Sequence, residues 1–174
     1  ANLHVRSGSG STYGTLNGTG NLVVGYNELR GSGDNRSGSH NIVVGLEQNY
    51  TSYGGLVTGY QNTISGTLAT ISGGSENIAT GYAASVSGGT GNTAGHTHAS
   101  VSGGSGNTAG AASSSVNGGT GNSATGSGSS ISGGYGNTTS GGYASISGGR
   151  YNIASGNFSF VGGGGDSSPT FGNE

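Results

Sequence analysis

Residues 84–98 read ASVSGGTGNTAGHTH and residues 99–113 read ASVSGGSGNTAGAAS, two successive copies of one 15-residue unit. Five more copies flank them: GGLVTGYQNTISGTL (54–68), ATISGGSENIATGYA (69–83), SSVNGGTGNSATGSG (114–128), SSISGGYGNTTSGGY (129–143) and ASISGGRYNIASGNF (144–158). The spacing holds from Gly54 to Phe158. A short fixed period means one turn of backbone coiled again and again, each turn resting on the last. The expected fold class is therefore all-β, a parallel β-solenoid with 15-residue turns. At ~4.8 Å per stacked strand the regular turns span roughly 30 Å.

Each unit holds two short segments with period-two alternation. In Ser85-Val86-Ser87 and its equivalents a β-branched apolar residue lies between small polar ones, so the middle residue points inward. This places Ile71, Val86, Val101, Val116, Ile131 and Ile146 in one core column. In Asn92-Thr93-Ala94 and its equivalents Ala points inward and Thr or Ser outward. An Asn recurs at one position of every turn: Asn62, Asn77, Asn92, Asn107, Asn122, Asn137 and Asn152. Stacked inside, these side chains form a hydrogen-bonded ladder with turn backbone. The other reading is a solvent-facing turn Asn that tolerates the left-handed region. The column's constancy favours the ladder. Pairs such as Gly88-Gly89 and Gly103-Gly104 read as sharp turns between short strands.

Composition excludes several classes. The chain has 174 residues, 43 of them Gly, no Cys, 6% charged residues and a net charge of −2. Arg6, Arg30, Arg36 and Arg150 are scattered, so no nucleic-acid footprint is expected. No apolar run is long enough for a membrane-spanning helix. GGTGN resembles a calcium-binding β-roll repeat, but that site needs a carboxylate in each turn. The chain has only two Asp, Asp34 and Asp166, so no metal or other cofactor is expected. His96 and His98 form at most half a metal site. No carboxylate pair recurs in a way a glycosidase cleft would need. Glu28, Asp34 and Glu47 near His40 are the one place where an acid–base cluster could gather. No catalytic residue is assigned and no enzyme is expected.

Three segments follow. Residues 1–53 are irregular and more apolar, forming N-terminal turns or a cap. Within them GNLVVG at 20–25 is echoed by HNIVVG at 40–45, with a loop insertion over 28–39. Consecutive apolar residues there imply that both strand faces are covered, by a cap or a subunit contact. Residues 54–158 are the regular solenoid, and 159–174 an exit segment.

The ASVSGG and NTAG units resemble the head repeats of YadA-like trimeric autotransporter adhesins and related bacterial and phage surface-fibre repeats. That resemblance implies a left-handed β-roll, often trimeric, projecting from a surface. The turns are also similar to the ice-binding β-roll of ryegrass, which implies adsorption to ice through an outward Ser/Thr face carrying Thr93 and Thr108. The expected function is a non-enzymatic extracellular or cell-surface structural or adhesive solenoid, a segment of a fibre or filament. Its expected partners are copies of itself and cell-surface glycans. Tyr60, Tyr82, Tyr135, Tyr143 and Tyr151 fall in turn corners. There they either stack on sugars or another subunit, or merely cover the corner.

Overall fold

The computed structural model describes residues 3–165, together with the backbone of 170–171. Of the exit segment, residues 166–169 and 172–174 lie outside the described residues. Among the described residues there is no helix. The chain is a parallel β-solenoid with two sheets, one of ten strands and one of nine. The first runs from Leu22–Val24 through Ile42–Leu46 and Leu56–Tyr60 to the two-residue strands Thr70–Ile71, Ser85–Val86, Ser100–Val101 and onward to Phe160–Val161. The second runs from Asn49–Tyr50 through Thr93–Ala94 and Thr108–Ala109 to Thr170–Phe171. Every strand pairs in parallel with its equivalent one turn away, as in Ser100 with Ser85 and Ser115, or Thr108 with Thr93 and Ser123. A third line of isolated parallel bridges joins Tyr60, Ser75, Thr90, Ser105, Thr120, Tyr135 and Arg150 along one corner.

The interior is thin. Ile71, Val86, Val101, Val116, Ile131 and Ile146 are buried, as are Ala79, Ala94, Ala109, Ala124 and Ala154 in the facing sheet. Two-residue strands suffice because almost every backbone N–H between them bonds to the neighbouring turn. In one turn Ser100, Ser102, Ser105, Thr108 and Gly110 all donate to carbonyls of the following turn at 2.8–3.0 Å. A further inward column lines the same cavity: Ala69, Ala84, Ala99, Ser114, Ser129 and Ala144. Sequence reading passed over it, although it stands two residues before the Val/Ile column and the same alternation points it inward.

The Asn residues from Asn62 to Asn152 are buried, and each side chain ties its own turn to the next. Asn107 Nδ2 donates to the Gly103 and Gly119 carbonyls at 2.9 Å. Its Oδ1 accepts the backbone N–H of Asn122 at 2.9 Å. The ladder is thus mainly side chain to backbone, which lets every rung be identical. At its last rung the buried Asn152 Oδ1 has no donor among the described residues.

One expectation needs correction. The period does not hold through the first copy. Val57 pairs with both Val43 and Ile71, and Asn62 N–H reaches Gln48 Oε1 across 14 residues. The interval becomes 15 from Asn62 to Asn77. One residue is gained between strand and Asn: Thr58-Gly59 stands where the next turn has Ser72-Gly73-Gly74. The strand Leu56–Tyr60 is longer because it pairs over its whole length with Ile42–Leu46, 14 residues back. Upstream, Leu22 pairs with Ile42 and Val23 with Val43, which places the two GNLVVG-like segments on adjacent rungs.

The insertion folds back over the N-terminal edge of the nine-stranded sheet. Asn35 O accepts the Tyr50 N–H at 3.0 Å, and Asn35 N–H bonds Asn49 Oδ1 at 3.0 Å. Arg30 reaches Glu47 O at 3.1 Å, Asn62 O at 2.9 Å and Thr63 Oγ1 at 3.1 Å. Unpaired edge groups that invite foreign strands are satisfied there. The outer face of the ten-stranded sheet is different. Leu22, Val24, Ile42 and Leu46 are exposed, so the expectation that both faces are covered is not met within this chain.

Candidate functional site

The outward surface has two flat faces and two corners. On the nine-stranded sheet Thr93, Thr108, Ser123 and Thr138 form one in-register column, half-buried by close neighbours along the stack. Ile78 and Ile153 flank that column at either end. On the ten-stranded sheet Ser85, Ser100, Ser115, Ser130 and Ser145 line up, with Ser87, Ser102, Ser132 and Ser147 exposed beside them. Large apolar side chains avoid this middle: from residue 83 to 134 none is exposed.

The corner tyrosines do not gather into one site. Tyr60 lies at the N-terminal end of the bridge corner. Tyr82 lies on the other corner, edge-to-face with His98 at 5.8 Å. Tyr143 stacks on Phe158 with centroids 5.4 Å apart and planes 6° from parallel. These two rings are 66% and 70% exposed. Tyr135 and Tyr151 meet edge-to-face at 5.3 Å. The Arg150 guanidinium lies 5.4 Å from the Tyr135 centroid and 5.1 Å from that of Tyr151. A hydrogen bond between the two phenols raises the Tyr135 pKa above its ordinary value, with Arg150 pulling the other way. Arg150 and Phe158 are additions to the aromatic corners that sequence reading did not assign. The signal was available: Arg150 stands one full period after Tyr135, and Phe158 one after Tyr143.

The corner backbone is left-handed whatever side chain it carries. Tyr143, Tyr151 and Phe158 have φ of 56°, 55° and 60°. Equivalent positions of earlier turns hold Gly121, Gly128 and Gly136, and also Leu68, Glu76, Ala83, His98 and Ser113, all at positive φ. The left-handed conformation thus belongs to the turn itself, and Gly is the residue that adopts it without strain.

In the irregular region His40 lines an open groove of about 510 Å³ with His4, Val5, Arg6, Ser7 and Thr12; no carboxylate is among its lining residues. Asp34 bonds Arg36 at 3.0 Å, and Glu47 accepts from Gln61. His96 and His98 are exposed. No group of three or more metal-ligating side chains occurs among the described residues. No described helix is long and apolar enough to cross a membrane.

The protein class this geometry defines is the parallel β-solenoid. No family model matches the chain, and no curated protein is similar to it at a significant level.

Proposed function

We propose that the protein is a non-enzymatic structural or adhesive solenoid of the cell surface or extracellular space, a segment of a fibre built with other copies of itself. One observation carries this reading: a stiff rod of satisfied rungs exposes no large apolar side chain from residue 83 to 134, and exposes many at both ends. Leu22, Val24, Ile42 and Leu46 mark one end; Tyr143, Phe158 and Phe160 mark the other. Burying such side chains stabilises association by ~25 cal/mol per Å². Low charge offers little repulsion against it. The resemblance of the units to surface-fibre head repeats supports the same reading. Electron microscopy and light scattering test it. Fibres or defined oligomers are expected; a strictly monomeric rod at high concentration overturns it.

A second reading is favoured by the in-register Thr93, Thr108, Ser123 and Thr138 column. A flat, regularly spaced hydroxyl face suits adsorption to ice. It predicts thermal hysteresis that disappears when Thr93 and Thr108 are replaced by Tyr. Folded protein without hysteresis removes it.

A further inference from the structure

We propose that Asn117-Gly118 is a self-modifying site, where the folded rod converts its own Asn117 to aspartate and isoaspartate. The backbone nitrogen of Gly118 attacks Asn117 Cγ. The new N–C bond closes a cyclic imide, the bond from Cγ to Nδ2 breaks, and ammonia leaves with the proton from Gly118. Water then adds to one of the two imide carbonyls and cleaves its bond to nitrogen. Cleavage on the side-chain side restores the main chain as aspartate. Cleavage on the main-chain side leaves isoaspartate, whose backbone runs through Cβ and Cγ. This chemistry is independent of the fibre reading.

Two Asn-Gly pairs occur, Asn17-Gly18 and Asn117-Gly118. In both, Gly carries no side chain to shield its nitrogen, so sequence makes them equals. The fold separates them. The Gly18 N–H donates to Ser37 O at 3.1 Å. Asn17 Nδ2 donates to Ser7 O at 2.8 Å, and its Oδ1 accepts from Thr19 Oγ1 at 2.7 Å and Ser39 Oγ at 3.1 Å. Both reacting groups are tied to other partners there. Asn117, by contrast, is exposed. Its side-chain amide bonds to no described residue, and the Gly118 N–H donates to none. Nothing lies within 4 Å of where a Cβ on Gly118 would stand, so the backbone has room to close the ring. Two untethered groups on adjacent residues react as neighbours rather than as separate molecules, which lowers the entropic part of the barrier.

The ladder asparagines are protected. They are buried, and the nitrogens that would attack are engaged: the N–H groups of Thr93, Thr108, Ser123 and Thr138 donate to the next rung at 2.8 Å. Asn117 is not a rung. It stands in the outer column where other regular turns carry Ser72, Ser87, Ser102, Ser132 and Ser147.

The product alters the rod in two ways. No Asp or Glu lies between Glu76 and Asp166, so the new carboxylate is the sole acidic side chain of that stretch. Isoaspartate also adds a carbon to the main chain between two fixed points. The Asn117 N–H donates to Ile131 O at 2.9 Å, and the Gly118 carbonyl accepts from Asn122 Nδ2 at 3.0 Å. Gly119 then abuts Gly134 O, which leaves no slack to absorb the extra length. Isoaspartate therefore loosens residues 114–128 from residues 129–143. Because each turn contacts only its neighbours, this sets the point at which the rod parts.

The test incubates the full chain at neutral pH, folded and in denaturing guanidinium. Mass spectrometry of its fragments and labelling by an isoaspartyl methyltransferase follow conversion. In the folded chain a gain of one mass unit and the label are expected at Asn117 and not at Asn17, whereas in guanidinium both positions convert. Asn117→Ser restores the residue of the column and should fold, by circular dichroism, without label at that turn. Gly118→Ala keeps the asparagine, fits the open space and should slow conversion, because its methyl crowds the attacking nitrogen. Isoaspartyl protein should unfold at lower denaturant than the unconverted chain. Absence of conversion at Asn117 in the folded protein, conversion of folded Asn17 as fast as Asn117, or label in residues 114–128 that survives Asn117→Ser each overturn the proposal.

Discussion

Replacing Asn107 by Ala tests the source of cohesion in this rod. The side chain is buried and makes three hydrogen bonds at 2.9 Å. Gly119 O keeps a second donor, the Ser105 N–H at 3.0 Å. The Asn122 N–H, by contrast, loses its acceptor inside the stack. Each lost bond is worth about 0.5–1.5 kcal/mol net, and a buried orphaned donor about 1–3 kcal/mol. The expected loss is about 3–5 kcal/mol, a large share of the ~5–15 kcal/mol that holds an ordinary domain. Because each turn contacts only its neighbours, the break should also separate the rod into halves that melt apart. Denaturant unfolding followed by circular dichroism measures it, with Ser100→Ala on the outer face as a control expected within about 0.5 kcal/mol of wild type. Asn152→Ala supplies the sharper comparison. Its Oδ1 accepts from no donor among the described residues, so its removal orphans no N–H there and should cost ~1–2 kcal/mol less than at Asn107. If Asn107→Ala costs under about 1 kcal/mol, or Asn152→Ala costs as much, the ladder is not what binds the turns.

Gly119 and Gly121 should respond differently to Ala. Gly119 has φ 84° and a Cβ there would meet Gly134 O at 2.2 Å, whereas Gly121 has φ 64° and open space around it. Gly121→Ala should cost about 1–2 kcal/mol and Gly119→Ala should prevent stacking, as thermal melts of the two would show. Ile131→Ala should cost about 2–5 kcal/mol and Ile131→Val about 0.5–1.5 kcal/mol by denaturant unfolding. Thr139 donates to Ser129 Oγ at 2.9 Å within the core; Thr139→Val alone should destabilise by ~1–3 kcal/mol, and adding Ser129→Ala should recover much of that loss. Ultraviolet titration should find Tyr135 ionising above the ordinary tyrosine range, because of the Tyr151 hydrogen bond, and Tyr151→Ala should return it. Since the folded pKa is the raised one, its contribution to stability is present below the unfolded pKa and lost as pH rises through the folded value.

Periodicity carries what is strictly local. Alternation around Val101 and Ala109, with a fixed interval between copies, determines by itself that the chain coils, which side chains face in, and that Asn107 repeats on every rung. These follow from strand geometry and translation along one axis, which need no knowledge of distant contacts. Tertiary structure decided what those residues meet. It made the Asn column a side chain-to-backbone ladder, because only stacking brings the Asn122 N–H to Asn107 Oδ1. It gave the two members of a Gly pair different roles, since nothing lies near a Cβ on Gly118 while Gly119 abuts the next turn. It shortened the interval before Ile71, where a one-residue difference is hidden by the matching Gly and Asn letters. It also brought Arg150 between Tyr135 and Tyr151. Corner side chains obey no alternation, and their contacts depend on left-handed backbone that sequence marks clearly only when the residue is Gly.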